Sequence, residues 1–273
     1  MRHPARGRIM NRITAFTLLL ATSSATAHDL WLIPPERAKA NEAVKVLAAS
    51  GMEFPKSEHA PDPAKFAKRR LLDPEGKESA IEAGGTEELT GLLPFTPAKA
   101  GVYIVAVETV PKLIALDADK FNAYLVSDGL AHIYALRAKE KSLDQPGKER
   151  YSKSPKVLLQ VGEGKAGDPC RSVGLPLEIV PVQDPFERKI GDALRVKVLF
   201  HKKPLADANL GWAHPGDGES PAGTARTNAE GEALIPIAKT GLMTIRLTHM
   251  TRPKHADYEW ESFWTTLTFR IPD

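Results

Sequence analysis

Short runs of alternating apolar and polar residues, separated by glycine- and proline-rich turns, make up most of this chain. Residues 193–200 are the clearest case. Leu194, Val196, Val198 and Phe200 alternate with Arg195 and Lys197, the period of a strand with one covered face. Residues 241–249 repeat it, with Met243, Ile245 and Leu247 set against Leu242, Thr244, Arg246 and Thr248. Residues 101–108 are apolar at both parities, as in a strand buried on both faces. Similar runs predict strands at 30–34, 43–48, 69–72, 87–95, 177–180, 209–214, 234–237 and 263–271, and a return to strand within 148–159. The period changes between 117 and 141. Phe121, Tyr124, Leu125, Ile133 and Leu136 recur at helical spacing, with Asp117 and Asp119 at the start and Arg137, Lys139 and Lys141 at the end. Gly129 is placed to split this helix. Residues 226–233 read as a polar hairpin-type turn.

Strands at this spacing predict a mainly β protein built from two β-sandwich parts, immunoglobulin-like, with a helical insertion in the first. Through Thr227-Asn228-Ala229-Glu230-Gly231 the C-terminal part also resembles the transthyretin-like sandwich. The glycine-rich stretch 162–169 suits a linker. The expected parts are therefore 28–168, carrying the helix near 117–141, and 169–273, an immunoglobulin-like sandwich.

The first 27 residues read differently. Arg2, Arg6, Arg8 and Arg12 precede an apolar run from 13 to 20, and small residues Ala25 and Ala27 follow. This is the layout of a cleaved secretory signal peptide, which predicts a periplasmic protein. No later run approaches the ~20 apolar residues of a membrane-spanning helix, so no transmembrane segment is expected in the mature chain. The four arginines account for the formal charge of +3, and without them the balance is −1. That leaves no basic surplus to suggest a nucleic-acid partner. The single cysteine, Cys170, has no partner for an internal disulfide.

Cleavage after Ala27 would make His28 the first residue. An N-terminal histidine offers an α-amine and an imidazole, both readily deprotonated by a metal near neutral pH. Imidazole suits nickel, copper, zinc and iron. The candidate ligands are His28 and His249, then Asp29, His255 and His59. His249 ends a predicted strand at the edge of a loop, and His255 lies in that loop with Asp257 and Glu259. Asp29 could add an oxygen or orient an imidazole. His59 sits in a polar loop that could close over an ion. His132, His201 and His214 read as surface residues. Trp31, Trp212 and Trp264 fall at apolar strand positions and read as core. No Gly-x-Ser-x-Gly elbow, phosphate loop or dinucleotide-binding glycine set is present.

The chain also resembles a family of exported bacterial proteins linked to nickel and cobalt uptake, the NikK-like proteins. The resemblance rests on His28-Asp29-Leu30-Trp31-Leu32, Phe121-x-x-Tyr124-Leu125, Asp128-Gly129-Leu130 and Glu149-Arg150-Tyr151-Ser152. It continues in residues 174–181, the turn from Thr227 to Gly231, and Trp264-Thr265-Thr266-Leu267-Thr268-Phe269. Asp128 stands where that pattern carries Glu. The resemblance implies a periplasmic protein that handles a divalent transition metal, and the expectation is that it binds nickel or cobalt for a membrane uptake system. Three nitrogens in one plane would also suit copper(II), which is the variant. Two other expectations stay open. One is a copper-dependent oxygenase with an N-terminal histidine brace. The other is a metal-free envelope module that binds a partner protein.

Overall fold

The computed structural model describes residues 28–272. The signal-peptide expectation falls on residues 1–27, outside the described residues. Among the described residues no helix is long and apolar enough to cross a membrane.

The first half begins with β1 (Asp29–Ile33), β2 (Val44–Gly51), β3 (Phe66–Leu72), β4 (Glu78–Ala80) and β5 (Thr86–Glu87). Next come β6 (Thr90–Phe95), β7 (Gly101–Thr109) and β8 (Lys112–Leu116). Two helices follow, α1 (Ala118–Ser127) and α2 (Ala131–Lys139), then β9 (Gly147–Lys153) and β10 (Lys156–Val161). The second half is strands: β11 (Leu177–Pro181), β12 (Ala193–Phe200), β13 (Lys203–Pro204), β14 (Asn209–Ala213) and β15 (Gly223–Arg226). It ends with β16 (Glu232–Pro236), β17 (Gly241–Thr251) and β18 (Trp260–Ile271).

The protein is mainly β, with sandwich-like packing and a helical insertion. Three layers of sheet are stacked. The middle layer is a ten-stranded sheet whose main path runs β15-β14-β17-β18-β10-β7-β3-β4, with β9 on β18 and β8 on β9. One outer sheet, β1-β2-β6-β5, packs Leu30, Leu32, Val46, Ala48 and Leu93 against Val105, Val107 and Val157 of the middle sheet. The other, β11-β12-β13 with β16, packs Leu177, Ile179, Leu194, Val196 and Val198 against Ile104, Ala106, Leu158 and Ile245. The two faces of β7 thus serve two different cores, which is why its sequence is apolar at every position. The expected division at 168/169 falls in the loop between β10 and β11, and the middle sheet crosses it.

The helical insertion packs Phe121, Tyr124, Leu125 and Ile133 onto Trp260 and Trp264 of β18. Trp264 shares its side of β18 with Thr266, whose hydroxyl donates to the Leu30 carbonyl at 2.8 Å. Helices and first outer sheet therefore sit side by side on one face of the middle sheet. The helix breaks where expected. Gly129 has φ +74°, and a Cβ there would lie 2.3 Å from the Asn209 amide nitrogen.

One local expectation is corrected. Residues 226–233 do not join a hairpin: β15 pairs with β14, whereas β16 pairs with β12 in another sheet. The turn carries the chain between layers. Asn228 holds it, accepting N–H groups of Glu230 and Glu232 on its side-chain oxygen.

Candidate metal site

His28 stands at the start of β1, and the register of β1 on β2 decides what it meets. Asp29 lies opposite Gly51 and Leu30 opposite Ser50. Beyond β2 the chain folds back, so that His59 forms an isolated antiparallel bridge with Ser50. Ser57 clamps this loop: its hydroxyl accepts the Ser50 N–H at 2.8 Å and donates to the His59 carbonyl at 2.9 Å. The fold-back needs Gly51, because a Cβ there would lie 2.5 Å from the Lys56 carbonyl oxygen. The result is that the rings of His28 and His59 meet edge to face, centroids 4.4 Å apart at 72°.

Glu58 completes the group. One carboxylate oxygen accepts the Met52 N–H at 2.8 Å, and the other lies 2.7 Å from His28 Nε2. These contacts, the Met52 N–H first and the His28 hydrogen bond next, hold the Glu58 carboxyl below the usual range. A carboxylate at Nε2 sets the tautomer of a neutral ring, holding the proton there and placing the lone pair on Nδ1, the nitrogen nearer the main chain. Among the described residues no group of three or more His, Cys, Asp or Glu side chains forms a metal-holding cluster. The protein donors brought together are two imidazoles with a carboxylate behind one of them.

Both histidines line a cavity of about 660 Å³ between the first outer sheet and the helical insertion. Its walls include Leu30, Phe66, Ile114, Leu116, Tyr124, Tyr151 and Trp264. Tyr124 and Trp264 stack with centroids 5.6 Å apart and planes within 9°. Lys153 and Glu149 supply its inner polar groups. The Lys153 ammonium donates to the His28 carbonyl and lies 5.4 Å from the Trp264 ring centre. Burial pulls its amine down to about 8, against the pull of Asp29 and Asp128. Glu149 accepts from Ser262 and Tyr124, yet burial raises its carboxyl to about 7.

The other expected ligands lie elsewhere. Asp29, next to His28 but on the opposite side of β1, is buried and paired with Arg246 at 2.7 Å. Arg246 also reaches Asp128 at 3.3 Å, and burial together with the Asp29 charge raises the Asp128 carboxyl to about 7. The expected pairing of His28 with His249 is not what the fold produces. His249 is paired with Phe263 across β17 and β18, on the side facing the second core. Trp264, which lines the cavity beside His28, points to the other side. The His249 ring packs 4.6 Å from Phe200, whose own ring is 4.2 Å from His201. Burial, then the charges of His132 and His201, lower its pKa to about 4. The reason is period: residue 249 has the parity of Ile245 and Leu247, the apolar side of β17. His255 lies in its own loop, stacked on Tyr258 at 4.1 Å and accepting the Asp257 N–H. His214, expected at the surface, is buried, with Nδ1 3.3 Å from the Leu242 carbonyl.

Sequence reasoning missed Glu58, Lys153, Glu149 and Arg246. Glu58 had a usable signal, since a carboxylate directly precedes the candidate His59. Glu149 opens one of the motifs that carry the family resemblance, but nothing there marks it as a site residue, and nothing local marks Lys153 or Arg246, which arrive from β9 and β17.

A family model described as a domain of unknown function, DUF4198, matches residues 25–251. The chain belongs to the DUF4198 family. Among curated proteins none matches it. Among solved structures it is similar to a fragment of Escherichia coli alpha-2-macroglobulin spanning domains MG0-NIE-MG1. That match has 8% identity, covers 86% of this chain and 96% of that one, and has a TM-score of 0.20. A mutant Salmonella alpha-2-macroglobulin matches at 10% identity, covering 89% of this chain and 16% of that one, also at 0.20. Similarity this low leaves the functional argument to the site itself.

Proposed function

We propose that this DUF4198 protein is a periplasmic carrier of a divalent transition metal, nickel or cobalt, which it holds at His28 and His59 for delivery to a membrane uptake system. Processing after Ala27 supplies the third nitrogen. The new α-amine and Nδ1 of the same residue close a chelate ring, and a ring nitrogen of His59 joins from across the edge-to-face contact. The observation that carries this reading is the Glu58–His28–His59 group. A carboxylate fixes the outer nitrogen of one imidazole, while a second imidazole stands against it with ring centres 4.4 Å apart, close enough for both rings to reach one ion through ~2 Å metal–nitrogen bonds. Three nitrogens suit borderline ions. Copper(II) would bind the same donors more tightly still, so availability rather than affinity would select nickel or cobalt.

Calorimetric titration with nickel, cobalt and copper tests the reading. Protein beginning at His28 should bind one ion per chain, and protein with a single alanine retained ahead of His28 should bind it at least 100-fold more weakly. Equal affinities would remove the amine from the site. Absence of binding by either form would overturn the metal reading and leave the envelope-module alternative.

A further inference from the structure

We propose that the cavity beside His28 and His59 takes a small carboxylate-bearing chelator, so that the ion is carried as a ternary complex of protein, metal and organic anion. The inference rests on the metal reading above and adds what fills the rest of the coordination shell. Its starting point is size. A hydrated ion needs room for a few waters of ~30 Å³ each, whereas the cavity holds about 660 Å³, the range of organic-ligand sites.

The donor count points the same way. His28 and His59 with the amine provide three nitrogens, so a tetragonal ion keeps at least one position for a donor from outside the protein. Glu58 is already committed to the Met52 N–H and to His28 Nε2.

The charge and the walls select the ligand class. Three lysines line the cavity: Lys153 inside, and Lys65 and Lys112 toward the surface. Against them stand Asp62, paired with Lys65 at 3.5 Å, and Glu149, one oxygen of which, Oε1, accepts from both Ser262 and Tyr124. Lys153 spends one donor on the His28 carbonyl, and an ammonium has three. A carboxylate seated on Lys153 would lie one residue's width from the ion, and the Trp264 and Tyr151 rings would cover the carbon skeleton.

The test is equilibrium dialysis of protein beginning at His28 with nickel and radiolabelled citrate or L-histidine. Each chelator is run with and without the metal. The expected result is one chelator molecule retained per chain only when nickel is present, with nickel affinity at least tenfold higher in its presence. Lys153→Met should abolish chelator retention. So should Val110→Trp, which adds bulk at an exposed lining residue in the turn after β7 and leaves the Lys153 side chain unaltered; thermal unfolding verifies that both variants fold. If nickel binds but both chelators strip it from the protein, or none is retained, the ternary complex is overturned and the metal site stands. If nickel binds under neither condition, the metal reading fails first and this inference with it.

Discussion

Two pairs of histidines lie among the described residues, and they differ in what surrounds them. His28 and His59 meet edge to face beside a carboxylate, at the rim of a cavity lined by lysines and aromatic rings. His249 and His201 meet through Phe200 and Phe263, and every group that shifts His249 lowers its pKa. The first pair is oriented by hydrogen bonds to the loop that carries it. The second is held by packing. An imidazole becomes a useful donor when a carboxylate fixes one nitrogen and presents the other. An imidazole pressed against phenylalanine is kept neutral by desolvation and serves as a flat aromatic filler. Counting histidines along the chain does not separate these cases. The acceptor behind the ring does.

The contrast can be broken most severely at His59. His59→Ala removes one of three nitrogens, and nickel affinity measured by competition with a coloured chelator should fall by more than the ~100-fold typical of losing an outer-shell partner. Unchanged affinity would detach His59 from the site. Next comes the floor beneath His28. Arg246→Met leaves Asp29 and Asp128 buried without their cation, and chemical denaturation should show a loss of about 3 kcal/mol, the low end for a broken buried pair because the guanidinium keeps some water. Stability within about 0.5 kcal/mol of the parent would mean the buried carboxyls need no counter-charge.

Smaller still is Glu58→Gln, which keeps the shape and weakens the acceptor at His28 Nε2. Nickel affinity should drop by about 10- to 100-fold, with no new ligand lost from the metal spectrum. The smallest metal effect belongs to the second pair: His249→Leu should leave nickel affinity where it was. It should instead alter the acid limb of stability. A histidine whose folded pKa is lowered to about 4 binds its proton more readily when unfolded, so its contribution is present above the unfolded value near 6.5 and is lost as pH falls toward 4. Relative to the variant, the parent should lose stability across that window. Parallel curves would mean His249 is not held neutral by the fold.

Much of the architecture was legible from period alone. The two-sided apolar run of β7 and the alternation of β12 specify a strand between two cores and a strand with one covered face, and Gly129 marks the helix break. Residues 112–116 and the split of 148–159 into β9 and β10 were not legible. β8 is an edge strand with exposed Leu113, and β9 is polar, so neither carries a clean alternation. The site was half legible. His28 follows from the cleavage rule and His59 from its polar loop. Their meeting depends on the register of β1 against β2 and on the fold-back at Gly51, which are long-range facts. His249 was misplaced for a readable reason, since its parity already assigned it to the apolar side of β17. Lys153 and Arg246 look like ordinary strand charges until β9 and β17 are set beside β1.

The most direct measurement is a crystal structure of nickel-loaded protein beginning at His28, with the ion located by its anomalous scattering. One ion is expected about 2.0–2.2 Å from the His28 amine, from Nδ1 of the same residue and from a ring nitrogen of His59, with Glu58 still on Nε2. An ion seated instead between His249 and His201, or in the His255 loop, would contradict that placement.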